Sequence, residues 1–121
     1  MAACGQLYAE KYLSFMLRSG PPDLKGCIQY NGSQPRKDGY FSTKFKFPYA
    51  KAKKHSLLHH IIYILYHNIY DLDSIKGAEV SHLCSNKSCI NVDHLFLESH
   101  ADNKSRQGCC PPCRHSPECI L

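Results

Sequence analysis

The chain has 121 residues and a formal net charge of +5, and it contains eight cysteines and eight histidines. That length leaves room for one small core, so we predict a single domain over residues 1–121. The first twenty residues include Glu10 and Lys11 and offer no small-residue cleavage site, which argues against a secretory signal peptide. The longest apolar stretch, 57–70, is interrupted by histidines and is shorter than the about 18 residues of a membrane span. We therefore expect a nuclear or cytosolic protein, neither secreted nor in a membrane.

The first half of the chain predicts one helix followed by two strands. Helix formers over 6–18 precede Gly20 and two prolines, so the helix is expected to end there. Residues 27–30 and 39–47 have strand patterns, and Asn31-Gly32 between them is typical of a turn. We therefore predict that these two segments form an antiparallel pair.

The second half predicts a buried helix and then a strand, a loop, a strand and a helix. Leucine and isoleucine recur at helical spacing over 55–70, which indicates the central core helix. Residues 78–83 and 95–97 predict short strands, and 98–107 predicts a helix that Gly108 closes. Three histidines of the core helix have no cysteine at ligand spacing and are expected to be structural: His59, His60 and His67. The order of elements indicates the α+β class.

Positive charge is concentrated in the first half of the chain. Residues 1–60 hold ten lysines or arginines and three acidic residues, a formal charge of +7, whereas 61–121 carry −2. Lysines alternate with aromatic residues over 39–47, which places Lys44 and Lys46 on one open face. A cationic two-stranded ribbon fits the major groove of double-stranded DNA, although lysines also simply solvate sheet faces. The candidate DNA contacts are Gln34, Arg36, Lys37, Lys44, Lys46, Lys51, Lys53 and Lys54.

Cysteine and histidine occur at metal-ligand spacing in the loop after the predicted strand 78–83. In a reducing compartment such sets bind zinc more often than they form disulfides. Cys84, Cys89 and His94 supply three ligands within eleven residues, and a tetrahedral zinc requires a fourth. Our candidate for the fourth ligand is Cys27, since the other cysteine outside the C-terminal run is Cys4, near the chain terminus.

The C-terminal run supplies a complete second set of ligands, Cys109-x3-Cys113-x-His115-x3-Cys119. Cys110 is adjacent to Cys109 and could replace it as a ligand. The alternative for all these cysteines is that they are small buried side chains without a metal. Four protein ligands leave no open coordination position, so both zincs are predicted to be structural, with the chemistry elsewhere.

Two polar residues flank the first ligand loop without being needed by it. His82 ends the predicted strand before the loop, and Asn103 lies in the last predicted helix. An imidazole accepts a proton from water, and an amide oxygen suits Mg²⁺, so together they could hydrolyse a phosphodiester. Taken alone, a histidine and an asparagine are more often structural.

The ordered pattern of these residues over 79–119 resembles the His-Cys box of intron-encoded homing endonucleases, a branch of the ββα-metal or His-Me finger nucleases. The upstream strands and Cys27 agree with that pattern more loosely. The residues that carry the resemblance are Ser81-His82-Leu83-Cys84, Cys89, Asn91, His94, Leu95, Glu98-Ser99, Asp102-Asn103-Lys104 and the terminal Cys/His run.

The resemblance implies a small zinc-stabilised His-Me finger fold, with antiparallel DNA-binding strands in 26–54, the catalytic ββα motif in 78–108 and a zinc knuckle in 109–121. It implies that His82 is the general base and Asn103 binds one catalytic Mg²⁺, giving 5′-phosphate and 3′-hydroxyl products without a small-molecule cofactor. It implies two structural zinc sites per chain, formed by Cys27, Cys84, Cys89 and His94 and by Cys109, Cys113, His115 and Cys119.

Two features of that family have weaker counterparts in this chain. The family places an arginine near the scissile phosphate, upstream of the central helix, where this chain offers lysines, of which Lys51 and Lys53 are closest. Members of the family can also carry a long C-terminal tail that wraps the partner subunit, whereas this sequence stops two residues after Cys119, so dimerisation by tail exchange is not expected. The need to cut both strands favours a homodimer, but a monomer that nicks one strand, or a different dimer surface, fits equally well.

The competing interpretation is a zinc-stabilised, sequence-specific DNA-binding module that does not cleave. A pure binding module requires neither His82 nor Asn103, so the presence of both favours the endonuclease. A third interpretation, a zinc-finger module for protein interactions, would leave the basic and aromatic strands unexplained.

Overall fold

The computed structural model describes residues 4–47 and 50–120, so the ends of the predicted domain and knuckle, and positions 48 and 49 of the basic segment, lie outside it. Within those ranges the strands form two separate two-stranded antiparallel sheets, β1–β2 and β3–β4. This confirms the α+β class. The elements in chain order are α1 (Cys4–Leu17), β1 (Ser42–Phe45), β2 (Lys54–Leu57), α2 (Leu58–Tyr66), β3 (Ala78–His82), β4 (Leu95–Ser99) and α3 (His100–Ser105).

The hydrophobic core surrounds α2, which is covered on two sides. Ile61 packs with Tyr8 of α1, whereas Ile62 packs with Val80 of β3. Burying side chains of this size stabilises the fold by about 1.5–3 kcal/mol each. None of the helices in the described ranges is both long and apolar enough to cross a membrane. Four side chains of α2 are at most 1% exposed: Leu58, Ile61, Ile62 and Leu65.

The predicted pairing of 27–30 with 39–47 is wrong. Strand β1, which lies within 39–47, pairs instead with β2. The segment 27–30 lies beside the loop between β3 and β4, where the Ile90 N–H donates to the Ile28 carbonyl at 2.8 Å. Because Cys27 belongs to a side-chain cluster within that loop, its segment is held there and not next to β1.

The central helix is shorter at both ends than the predicted 55–70. Residues 55–57, which were predicted as the start of the helix, belong instead to β2. The Leu58 N–H donates to the Phe41 carbonyl at 2.9 Å. At the other end Asn68 has a φ of +54°, the left-handed conformation that commonly follows a helix. Hydrophobic periodicity therefore identified the helix, while strand pairing and a left-handed asparagine set its ends.

The strand, loop, strand and helix predicted for the second half are confirmed, with shifted ends. β3 pairs with β4 so that His82 lies opposite Leu95, and the loop between them carries the first ligand set. Ser99 Oγ accepts a hydrogen bond from the Asp102 N–H at 3.1 Å, so α3 starts at His100 and not at residue 98. The result is a hairpin with a helix beside it, which positions His82 and the Asn103 of α3.

Candidate metal centres and active-site cleft

The first candidate metal centre joins the segment before β1 to the loop between β3 and β4. Cys27, Cys84, Cys89 and His94 are all buried, and their ligand atoms lie within 4.8 Å of one another. His94 Nδ1 is 3.7 Å from Cys27 Sγ and 3.6 Å from Cys89 Sγ. Tetrahedral zinc, with bonds of about 2.3 Å to sulfur and 2.0 Å to nitrogen, requires S···N separations of about 3.5 Å. The four side chains therefore fit one zinc bound through Nδ1 of His94.

The ionisation of these cysteines also favours a cation at their centre. The hydrogen bond to Cys89, together with burial, raises the pKa of the Cys84 thiol, and burial raises the pKa of Cys27. Three thiolates packed this closely repel one another unless a positive charge lies among them. Zinc supplies that charge, so its binding and the ionisation of the thiols are linked.

Gly26 allows the segment that carries Cys27 to approach the ligand loop. Its φ is +89°, and a Cβ at this position would lie 3.2 Å from His94 Nε2. The Gly26 carbonyl accepts a hydrogen bond from Asn91 Nδ2 at 2.7 Å. Asn91 in turn begins the short 3-10 turn that carries His94. The glycine and the asparagine therefore hold two distant parts of the chain at ligand distance.

The second candidate metal centre lies entirely in the C-terminal segment. Cys109, Cys113, His115 and Cys119 place their ligand atoms within 4.8 Å of one another. His115 Nδ1 is 3.4–3.5 Å from the three sulfur atoms, which again fits tetrahedral zinc. Between the two adjacent cysteines, the structure places Cys109 in the cluster, while Cys110 is exposed.

Three further contacts prepare this second site for zinc. The backbone N–H groups of Cys119 and His115 donate to Cys113 Sγ and lower the pKa of Cys113 to about 6. Ser105 Oγ lies 3.0 Å from His115 Nε2, so the hydroxyl can accept from that nitrogen and orient the ring. Both clusters have the three sulfurs and one nitrogen that zinc favours, and they form two Cys3His zinc-binding sites.

Arg106 attaches the C-terminal site to the β3–β4 sheet. Its Nε and Nη2 donate to the two carboxylate oxygens of Glu98 at 2.6 and 3.0 Å, and Nη1 donates to the Pro117 carbonyl at 2.7 Å. Nη1 also donates to Cys119 Sγ at 3.4 Å. Ser81 Oγ donates to the same Glu98 carboxylate. Sequence reasoning missed Arg106, because its partners lie eight or more residues away.

A cleft of about 280 Å³ lies between β3, the first zinc loop and α3. Both residues that the sequence singled out for catalysis, His82 and Asn103, line it. The residues that line it without having been predicted include Tyr40, Lys87 and Arg106. The cleft is therefore the place where a general base and a metal-binding oxygen could act on one substrate.

The first zinc loop fixes the tautomer of His82. His82 Nε2 lies 2.9 Å from the Cys89 carbonyl oxygen, which can only accept, so Nε2 carries the proton and Nδ1 keeps its lone pair. Burial lowers the pKa of His82 to about 4, which keeps the ring neutral near neutral pH. Since Cys89 is itself in the first ligand set, the metal centre determines which nitrogen of His82 can act as a base.

The amide of Asn103 is held by a carboxylate of β3. Asn103 Nδ2 donates to Glu79 Oε1 at 2.8 Å, which leaves Oδ1 as its remaining polar atom. The other Glu79 oxygen lies 2.9 Å from His100 Nδ1. The hydrogen bonds from Asn103 and His100 lower the pKa of Glu79. An amide oxygen beside an ionised carboxylate is a setting that suits a hard cation such as Mg²⁺.

The histidines of α2 are structural, as predicted, and two of them support the cleft. His59 Nε2 donates to the Val80 carbonyl at 3.0 Å, while the Val80 N–H donates to His60 Nε2 at 3.5 Å. The ring of His59 packs on that of His82, with centroids 4.2 Å apart. Burial lowers the pKa of His59 to about 2, so this ring stays neutral. His67 is exposed at the end of α2.

None of the eight predicted DNA contacts lines the cleft. Lys44 and His55 face each other across β1 and β2, so the cationic ribbon exists with β2 as its second strand. Lys51 and Lys53 are exposed between these strands and do not line the cleft. Arg36 forms an ion pair with Asp38 at 2.9 Å. All eight predicted contacts are exposed: Gln34, Arg36, Lys37, Lys44, Lys46, Lys51, Lys53 and Lys54.

Comparison with known proteins agrees with this arrangement. Residues 26–121 match the family described as the zinc-binding loop region of homing endonuclease. The "Uncharacterized gene 5.3 protein" of Enterobacteria phage T3 is 32% identical over 70 residues, which cover 58% of this chain and 65% of the phage protein. The matched part therefore spans slightly less than two thirds of that relative. No solved structure matches the chain. With two Cys3His sites and a family match over most of its length, the chain belongs to the zinc-binding family of His-Me finger homing endonucleases.

Proposed function

We propose that this protein is a Mg²⁺-dependent DNA endonuclease that hydrolyses phosphodiester bonds. The observation that carries the proposal is the pairing of His82 and Asn103 in one cleft, where each keeps one polar atom outside its bonds to the protein. Membership of a homing-endonuclease family supports the nuclease class and DNA as the substrate. The two zinc sites have four protein ligands each and serve to hold the cleft, not to react.

In the proposed reaction His82 acts as the general base. Its Nδ1 accepts a proton from water while the water oxygen forms a bond to phosphorus. The bond from phosphorus to the 3′-oxygen breaks, and that oxygen takes a proton from solvent. The products are a 5′-phosphate and a 3′-hydroxyl. The hydrogen bond from His82 Nε2 to the Cys89 carbonyl keeps the ring oriented throughout.

Asn103 Oδ1 is the atom proposed to hold Mg²⁺. This ion retains several waters and needs only one or two protein oxygens, so an amide oxygen next to the Glu79 carboxylate fits it. When bound, Mg²⁺ would supply positive charge that stabilises the leaving oxygen. Glu79 keeps the Asn103 amide in one orientation, so that Oδ1 and not Nδ2 is presented.

The ribbon of β1 and β2 is proposed to enter the major groove with its lysines on phosphates. Lys44 of the ribbon, and Gln34 and Arg36 of the segment before β1, are proposed to contact bases. A role for Lys51 and Lys53 at the phosphates stays a prediction. So do a homodimer, which cutting both strands would favour, and a nuclear or cytosolic location, which follows only from the substrate.

The test is cleavage of supercoiled plasmid by zinc-loaded protein with Mg²⁺. We expect the wild type to convert supercoiled DNA to nicked or linear forms, and His82→Ala and Asn103→Ala to lose this activity. His67→Ala is the matched control, because His67 is an exposed histidine at the C-terminal cap of α2 that does not line the cleft. Zinc content and circular dichroism of each variant show that it is folded.

The possible results separate this proposal from its main alternative. Cleavage that survives unchanged in His82→Ala would point to a contaminating nuclease. Tight DNA binding by the wild type without cleavage would favour the non-cleaving DNA-binding module. Specific loss of activity in the two cleft variants, with the His67→Ala protein unaffected, supports the endonuclease.

A further inference from the structure

Among the residues that the structure describes, Lys87 is the one basic side chain lining the cleft that forms no hydrogen bond or ion pair with the protein. His82 is bonded through Nε2 to the Cys89 carbonyl oxygen. Arg106 is 3% exposed, and its guanidinium is bound to Glu98, to a backbone carbonyl and to Cys119. Lys87 is exposed and takes part in none of the ion pairs found in residues 4–47 and 50–120. Its ammonium is therefore available to a ligand.

The first zinc loop determines where Lys87 lies. Lys87 stands between Cys84 and Cys89, two members of the first ligand set. The preceding Asn86 braces the turn, since its Oδ1 accepts from the Ser88 N–H at 3.1 Å and from Ser88 Oγ at 2.8 Å. A loop with a metal ligand at each end has a restricted backbone, so the side chain of Lys87 leaves the loop in one direction.

The stem and head of Lys87 pack on the turn before β1. Gly39 has a φ of +93°, and a Cβ there would lie 3.5 Å from Lys87 Cδ. Lys87 Nζ lies 5.4 Å from the centroid of the Tyr40 ring, within the range of a cation–π contact. The centroid of the same ring is 5.9 Å from that of His82. An aromatic face holds the ammonium near the proposed base without neutralising its charge.

We propose that Lys87 binds the DNA phosphate at the bond to be cut. This inference rests on the proposed endonuclease function and extends it by naming a further residue that touches the substrate. The position needs a cation, because the attacked phosphate gains negative charge as the water oxygen bonds to phosphorus. Lys87 takes the place that the sequence suggested for Lys51 and Lys53, which lie outside the cleft.

The experiment compares charge-removing variants of these lysines. Lys87→Met keeps an apolar stem against Gly39 and Tyr40 and removes the charge, while Lys87→Arg keeps the charge. Lys51→Met and Lys53→Met test the alternative positions, and Lys76→Met, at an exposed site outside the cleft, is the matched control. Single-turnover plasmid cleavage is measured at saturating DNA, and the salt dependence of DNA affinity is measured without Mg²⁺.

For Lys87→Met we expect the cleavage rate to fall by on the order of 10- to 100-fold, with recovery in Lys87→Arg and no change in Lys76→Met. The plot of log affinity against log salt should lose about 0.9 from its slope, the value for one phosphate contact. An unchanged rate and slope in Lys87→Met would overturn the inference, as would a loss of the rate in Lys51→Met or Lys53→Met instead.

The same data separate failure of this inference from failure of the proposed function. If the wild type cleaves and Lys87→Met cleaves equally well, the endonuclease stands and the role of Lys87 falls. If the wild type binds DNA without cleaving it, the proposed endonuclease function is refuted, and the salt dependence of affinity alone tests the phosphate contact of Lys87. A slope reduced by about 0.9 then supports a phosphate contact at Lys87, and an unchanged slope refutes it.

Discussion

Replacing Arg106 by glutamine should lower the free energy of unfolding, because it breaks the contacts that join the C-terminal zinc site to the β3–β4 sheet. The side chains of Arg106 and Glu98 are 4% and 6% exposed, so their ion pair is almost free of solvent. Removing one partner of a buried pair leaves an uncompensated charge, at a cost of about 3–5 kcal/mol. Ser81 still donates to Glu98 in the variant, so we expect the lower end, about 3 kcal/mol.

The assay is urea unfolding followed by far-ultraviolet circular dichroism, with zinc in excess at neutral pH. Arg114→Gln removes the same charge from an exposed arginine of the same segment and should leave the unfolding midpoint unchanged. The double variant Arg106→Gln with Glu98→Gln should lose less than the sum of the two single changes, because no buried charge is left unpaired. Equal midpoints for Arg106→Gln and Arg114→Gln would refute this reasoning.

Further predictions concern the zinc sites. Gly26→Ala should weaken zinc binding at the first site, because its left-handed backbone and the contact with His94 disfavour a Cβ; equal zinc affinity in a competition titration would contradict this. Cys109→Ser should retain one zinc per chain and Cys110→Ser two, measured by elemental analysis, and the reverse pattern would move the ligand position. A strong chelator should abolish the folded circular dichroism spectrum, since the pKa values of the buried Cys84 and Cys27 thiols are raised and zinc supplies the charge that stabilises them as thiolates. A spectrum unaffected by chelation would show that zinc is not required for folding.

Local patterns in the sequence identified most of the elements around the cleft. Ligand spacing is a short-range property that can be recognised without knowledge of the fold. It identified Cys84, Cys89 and His94 within one loop and the four C-terminal ligands. The short strands flanking that loop and the buried central helix follow equally from local periodicity. These features depend on residues close in the chain, so they could be read directly.

Long-range partners could not be read in the same way. The predicted strand 27–30 is reduced to isolated bridges of Gln29 with Cys89 and of Tyr30 with Ser19. The position of Cys27 at the metal centre outweighed the nearby turn signal. Their position before the central helix favours Lys51 and Lys53 as the cations near the scissile phosphate, whereas Lys87 reaches the cleft from within a ligand loop. The position of Lys87 between the ligands Cys84 and Cys89 could have identified it as a site residue, because a metal-bound loop holds its side chains in place.

The contacts of Val80 with two α2 histidines have a consequence for assembly. In a two-stranded sheet the outer backbone groups of each strand are free to recruit another strand, which is a common route to aggregation. At Val80 both outward groups are already bonded, the carbonyl to His59 and the N–H to His60. The imidazoles of α2 therefore close this edge of β3 to strand addition, so an extended peptide or a second copy of the chain cannot extend the β3–β4 hairpin at Val80.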